Sequence, residues 1–450
     1  MILHGFRTDY FINSFSDGIF NSLSTKSTKE RKALNVKERK NLFVFLRELR
    51  GYGTWRQRRH CILLSVVSLF FFFSGCTVIE LSAPLKLSPA DWTMFGKEYR
   101  HSHRDTESSF TFPLRVLWNY DASAGFGNGS PVVVDSVLFI GTLQGEMHAV
   151  NAISGKRIGY IKTGSALYGA PAAAETKLYF PAASGKSSVI ALDLVNGKKL
   201  WTIGIGGVEA SPVLFHGKLF AASLNGTLYC LDTLSGKTDW TFPTDDALHS
   251  SPAANDSLLF FGNDEGFVFA VNAFDGKLKW KYKTGAAVFG SPCVSSQRSF
   301  QYGIENGARG DMVFIGSRDH FLYAFDAATG EVKWKFDTGD RIMSCPSVND
   351  SLVFVSSLNG TVSAVSINDG VLQWKFTNHS VINTTPVVTA SAIFVGALDN
   401  YLYALSPRDG SVLWKYDIGS RIKTSPVAWR GKLYVAAEDK SVYCFVSSNQ

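Results

Sequence analysis

Apolar and polar residues alternate with period two along most of the chain beyond residue 113, as in Lys432-Leu-Tyr-Val-Ala436 and Tyr401-Leu-Tyr-Ala-Leu405. Successive side chains of a strand point to opposite faces, so this alternation, rich in β-branched and aromatic residues, predicts half-buried strands. The breaks between strands are short and polar, Leu224-Asn-Gly226 and Ala397-Leu-Asp-Asn400 among them. Breaks of that length join antiparallel neighbours.

The pattern repeats. Proline recurs at 131, 171, 212, 252, 292, 346, 386 and 426, at spacings of 40 or 41 except for one of 54. In phase with it runs a glycine followed four residues later by tryptophan, from Gly197/Trp201 to Gly410/Trp414. Gly155 opens the first unit's copy of that mark, but Gly159 stands where tryptophan is expected. Four strands in about 40 residues make one propeller blade. The last unit, Ser425 to Val446, supplies only three strands, while Leu114-Arg-Val-Leu-Trp-Asn-Tyr120 is an unmatched fourth strand ahead of the first proline. The expected fold is therefore all-β: an eight-bladed β-propeller of four-stranded antiparallel blades, closed by an N-terminal strand that completes the last blade. Each tryptophan is expected to wedge between blades, where burying ~150–250 Å² contributes at most about 4–6 kcal/mol.

Charge changes the picture at the N-terminus. Residues 1–75 hold 13 Lys/Arg against 5 Asp/Glu, which leaves 32 and 33 for the rest, so the overall charge of +7 belongs to the leader and the propeller offers no basic field for nucleic acid. Residues 1–54 read as a disordered or non-native leader. Residues 55–75 read as a signal peptide, in which Arg56, Arg58 and Arg59 precede the apolar run 62–73. Ser74-Gly75-Cys76 resembles a bacterial lipobox, with Phe73 where leucine is usual, and implies lipidation of Cys76. Residues 76–112 are the anchor linker and lead-in, and 113–450 the propeller.

The Trp-Lys-Phe/Tyr strands, the Asp-x-x-x-Gly turns and the Ser-Pro entries, with the lead-in Asp91-Trp-Thr-Met-Phe-Gly96, resemble the pyrroloquinoline-quinone-repeat (quinoprotein-like) propellers. That family includes quinoprotein dehydrogenases and the BamB-like outer-membrane assembly lipoproteins. The dehydrogenase branch would imply adjacent cysteines in a disulfide over the quinone, a tryptophan beneath it, and Glu/Asn/Asp ligands for Ca²⁺. No Cys-Cys dipeptide occurs here, and Cys230 and Cys444 fall where other units have a small alanine. The resemblance to the BamB-like branch implies a monomeric, lipid-anchored scaffold of the cell envelope, facing the periplasm or the cell surface. Its implied partners are other envelope proteins, the β-barrel assembly complex among them, and the membrane through the lipid alone. On this reading the chain is not an enzyme, has no catalytic residue and takes no cofactor or metal. Two alternatives stay open: a cell-surface propeller binding glycan or protein, and a divergent pyrroloquinoline-quinone-dependent dehydrogenase.

Residues three places before each proline should ring the channel mouth: Asn128, Tyr168, Glu209, His249, Phe289, Met343, Asn383 and Lys423. They differ from unit to unit, which blade packing alone does not require. Glu209, His249, Asn383 and Lys423, with Arg341 and Arg421 two places earlier in their loops, are the candidate partner-binding residues. His101 and His103 suit metal chelation poorly within a lead-in segment. The 54-residue spacing places a 14-residue insertion after Ser295, at a turn where added length is tolerated or functional.

Overall fold

The computed structural model describes residues 78–183, 187–295 and 310–449. Residues 1–54, read as a leader, residues 55–75, read as a signal peptide, Cys76 and insertion residues 296–309 lie outside the described residues.

Eight antiparallel sheets form the blades, and no helix occurs among the described residues. In blade 3, Val213–Phe215, Lys218–Ala222, Thr227–Asp232 and Thr238–Pro243 pair in sequence order from the channel outwards. The ring closes as its accounting requires. Leu114–Asp121 pairs with Ser441–Ser447 and becomes the outermost strand of blade 8. One strand lies beyond the repeat: Arg104–Asp105 runs parallel to Val388–Thr389 and adds a fifth strand to blade 7.

Register explains the small third-strand residues. Trp201, Trp240, Trp280, Trp334, Trp374 and Trp414 face Ala191, Cys230, Ala270, Ala324, Ala364 and Ala404, and Trp118 faces Cys444. Every ring except that of Trp414, which packs on Phe112 and Phe445, then lies on the turn glycine of the next blade. A Cβ at Gly276, whose φ is +71°, would lie 2.7 Å from the Trp240 ring, and one at Gly330 2.6 Å from that of Trp280. Glycine is needed there for both the left-handed turn and the close approach. Blade 1 lacks its tryptophan, and the N-terminal segment fills the gap. A Cβ at Gly159 would lie 2.1 Å from the Val78 carbonyl oxygen, and one at Gly197 2.1 Å from Val78 Cγ1.

The lead-in closes one end of the channel. Innermost strands expose an unpaired edge to the channel, and buried N–H groups there need acceptors. Trp92 pairs with Val133. The N–H groups of Ala173, Ala254, Val294, Val348 and Val388, each two residues after its blade's proline, donate to the carbonyls of Thr93, Tyr99, Arg100, Ser102 and His103. Ion pairs fasten this strap to the blades: Arg100 to Asp256 (2.8 Å) and Asp311 (3.1 Å), and Arg104 to Asp350 (2.6 Å).

Candidate functional site

Inner strands begin at the open end of the channel, so the residues just before them converge on the axis. All eight residues that precede a repeat proline by three places line one cavity of about 290 Å³. Phe95 of the lead-in forms part of its wall on the closed side, edge-on to His101 and His103 at ring-centroid distances of 5.0 and 4.8 Å. Beneath the ring of loop residues runs a belt of hydroxyls. Ala170, Ser211, Ser251, Cys345 and Thr385 donate their N–H groups to the side chains of Ser211, Ser251, Ser291, Thr385 and Ser425 on the following blade, at 2.9–3.2 Å. At five junctions the serine or threonine ahead of the repeat proline thus joins one blade to the next at the wall of the cavity.

The mouth is electrostatically divided. On blades 3 to 5, His249 Nδ1 lies 2.9 Å from Asp264 and Nε2 3.6 Å from Glu209, while its ring packs on Phe289 at 4.9 Å. Arg318 covers the same phenyl ring, 5.0 Å from its centroid. Across the opening on blade 8, Lys423 and Arg421 both pair with Glu438. The hydrogen bond from Lys423, with that from Arg421, holds the Glu438 carboxyl below the usual carboxylate range. Asn383 turns a buried Oδ1 with no partner, an acceptor that a donor entering the cavity would satisfy.

Glu209, His249, Asn383 and Lys423 therefore share one cavity, whereas Arg341 and Arg421 do not line it. Arg341 turns to its neighbour Asp340 at 3.4 Å, because a guanidinium two residues out on the loop reaches solvent before it reaches the axis. Phe95 and the hydroxyl belt carried no mark in the repeat's irregularities. The belt is itself repetitive, and the lead-in's path depends on tertiary hydrogen bonds.

His101 and His103 lie side by side, fully buried, at a centroid separation of 6.5 Å. Burial pushes His101 down to about 3 and His103 well below the ordinary range, so both stay neutral. Among the described residues no trio of His, Cys, Asp or Glu is placed to hold a metal ion. Cys230, Cys293, Cys345 and Cys444 are free and buried, and burial pushes the Cys230 and Cys444 thiols up to about 12.

The family model described as outer membrane protein assembly factor BamB matches residues 115–207, 185–300 and 284–449. The chain belongs to this family. The BamB-family propeller is similar in fold to the crystal structure of BamB from Moraxella catarrhalis, with a TM-score of 0.61 and 17% identity over 74% of this chain and 100% of that one. It is similar also to the quinohemoprotein alcohol dehydrogenase ADHIIG from Pseudomonas putida HK5, with a TM-score of 0.69 and 15% identity over 81% of each chain. Among curated proteins, the quinone-dependent alcohol dehydrogenase subunit of Gluconobacter oxydans is 25% identical over 212 residues, 38% of this chain and 27% of that protein. Polyvinylalcohol dehydrogenase of a Pseudomonas species is 28% identical over 194 residues, 35% and 30% respectively. The chain thus spans less than a third of the length of these curated relatives.

These names correct one expectation. The reading of the chain as not an enzyme does not stand, because the curated relatives, and some of the solved structures similar in fold, are named alcohol or methanol dehydrogenases. Blade packing is common to both branches, so a signature that resides in packing carries no information on activity. The cavity's own residues do not reproduce the arrangement implied by the dehydrogenase branch. Among the described residues that line it there is one cysteine, Cys345, whose neighbours in sequence are Ser344 and Pro346, and no tryptophan. Its one carboxylate, Glu209, is turned to His249.

Proposed function

We propose that this BamB-family chain is an envelope protein, held to a membrane by a lipid on Cys76, which receives an element of another envelope protein at the axial cavity. The β-barrel assembly complex is the partner we favour. The observation that carries this reading is the cavity ring: eight equivalent positions filled by seven residue types, with Glu209 and His249 facing Lys423 across an opening walled by Tyr168 and Phe289. A preformed, partly apolar recess with a few convergent polar groups suits a protruding side chain or loop. Affinity purification of the lipidated chain, followed by mass spectrometry, should recover barrel-assembly components. Phe289→Ala with Lys423→Glu should lose them, and recovery of none by the unaltered chain would overturn the reading. Cys76→Ser should convert tight, detergent-dependent membrane association into weak association.

The dehydrogenase names favour a second reading, an oxidoreductase using a quinone at the same cavity. Dye-linked alcohol oxidation by the chain supplied with pyrroloquinoline quinone and Ca²⁺, suppressed by Asn383→Leu, would support it. Absence of quinone binding by absorbance would count against it.

A further inference from the structure

In an antiparallel four-stranded blade the turns joining strands one to two and three to four share one end, opposite the end that bears the cavity mouth. The third-to-fourth turns are not alike around the ring. In blades 1 to 4 their tips carry Ile153, Val195, Leu234 and Phe274, exposed by 53%, 37%, 70% and 60%. The residue after each turn glycine is a lysine: Lys156, Lys198, Lys237 and Lys277, all exposed. Blades 5 to 7 have Ala328, Asn368 and Arg408 at the tips, and Glu331, Val371 and Ser411 in place of the lysines. Apolar residues at the start of outer strands occur on both halves of the disc, Leu278 and Leu372 for example, and so set no direction. The pairing of an apolar tip with a lysine does.

The lead-in also reaches this arc. Val78, 41% exposed, lies against Gly159 and Gly197 of blades 1 and 2. Cys76 precedes it by two residues in the sequence. The inner turns of the same face carry Asp256 and Asp350, which Arg100 and Arg104 of the lead-in neutralise.

We propose that this arc is a lipid-contacting edge of the propeller, whose four apolar tips enter the interface of an anionic bilayer while the four lysines meet its phosphates. Isolated apolar side chains, each beside a cation, match the mixture of apolar burial and electrostatic attraction that holds proteins at membrane surfaces. A protein–protein interface would instead centre on contiguous apolar area depleted of lysine. Lys277 pairs with Asp275 at 2.9 Å yet keeps its side chain 82% exposed, free to exchange that partner for a phosphate. The edge belongs to the propeller and is independent of the acyl chain, although it would place the anchor and the cavity mouth on opposite faces of the disc.

The test uses the chain from residue 76 onward with Cys76→Ser, a unit whose cores lie between Ile79 and Phe445 and whose ring closes on itself. It should sediment with vesicles of phosphatidylglycerol and phosphatidylethanolamine, lose most of that binding at high salt, and ignore pure phosphatidylcholine. Leu234→Ser with Phe274→Ser, or Lys237→Glu with Lys277→Glu, should weaken binding roughly tenfold or more. Both pairs are exposed, and an unchanged thermal transition would confirm folding. Ala328→Leu with Glu331→Lys should extend the arc and tighten binding. Equal binding by the unaltered protein and both weakened variants, or none by any, would overturn the proposal. So would a concentration-dependent dimer lost in the same variants, which would assign the arc to a second copy. Failure of the anchor reading is separately visible as a missing acyl mass on the full chain.

Discussion

The tryptophan–glycine contact between blades works because each partner is the extreme of its kind. The indole brings the largest side chain, and the glycine, at positive φ, leaves room for it. Removing the ring leaves a void that flanking strands cannot fill by collapse. Trp280→Ala, whose indole N–H also loses the Ala327 carbonyl at 2.9 Å, should cost roughly 3–5 kcal/mol in denaturant unfolding. Blade 1 shows the same rule from the other side: Gly159 was legible in the sequence as a missing tryptophan, but not what replaces it. Val78 fills the space with backbone, a substitution without any repeating mark. Gly159→Ala would press a methyl group into the Val78 carbonyl and should expose residues 78–81 to protease at a cost on the order of 1–3 kcal/mol. A variant as resistant as the unaltered chain would refute this contact.

At the scale of the element, the lead-in strap decides how the channel ends. The blades were readable because alternation and turn chemistry are local and recur eight times. The strap has neither period nor pattern, since its course is fixed by N–H groups that six different inner strands leave unpaired. Its two central imidazoles make it pH-sensitive. In the folded chain His101 and His103 stay neutral, with His101 held at about 3 against an ordinary 6.5, whereas in the unfolded chain both take protons near the ordinary value. Their contribution is intact above pH 6.5 and is lost as pH falls toward the folded values, each adding a slope approaching about 1.4 kcal/mol per pH unit. Unfolding free energies measured from pH 7 to 4.5 should fall accordingly. His101→Asn, which tolerates the φ of +54° there and does not titrate, should flatten the slope. An unchanged slope would mean that other groups carry it. Phe95→Ala should enlarge the cavity and cost roughly 3–5 kcal/mol, read as a lower denaturation midpoint.

For the whole molecule, the ring is only as strong as its seam. Seven blades are covalently continuous, and the eighth is assembled from both ends of the propeller by the pairing of Leu114–Asp121 with Ser441–Ser447. That outer strand also reaches blade 1, where Trp118 donates to the carbonyls of Ala152 (3.2 Å) and Ile153 (3.1 Å). Tyr434 of blade 8 donates to the same Ala152 carbonyl at 3.1 Å. Seam and inter-blade packing therefore share acceptors, and a ring opened there loses contacts on both sides of the break. Removal of residues 441–450 should abolish the native near-ultraviolet circular dichroism of the entire chain rather than that of one blade. If blades 2 to 7 stayed protease-resistant after this truncation, their stability would be that of a linear array in which each blade depends only on its neighbours. Closure would then serve to shield two sheet edges and not to make the disc cooperative.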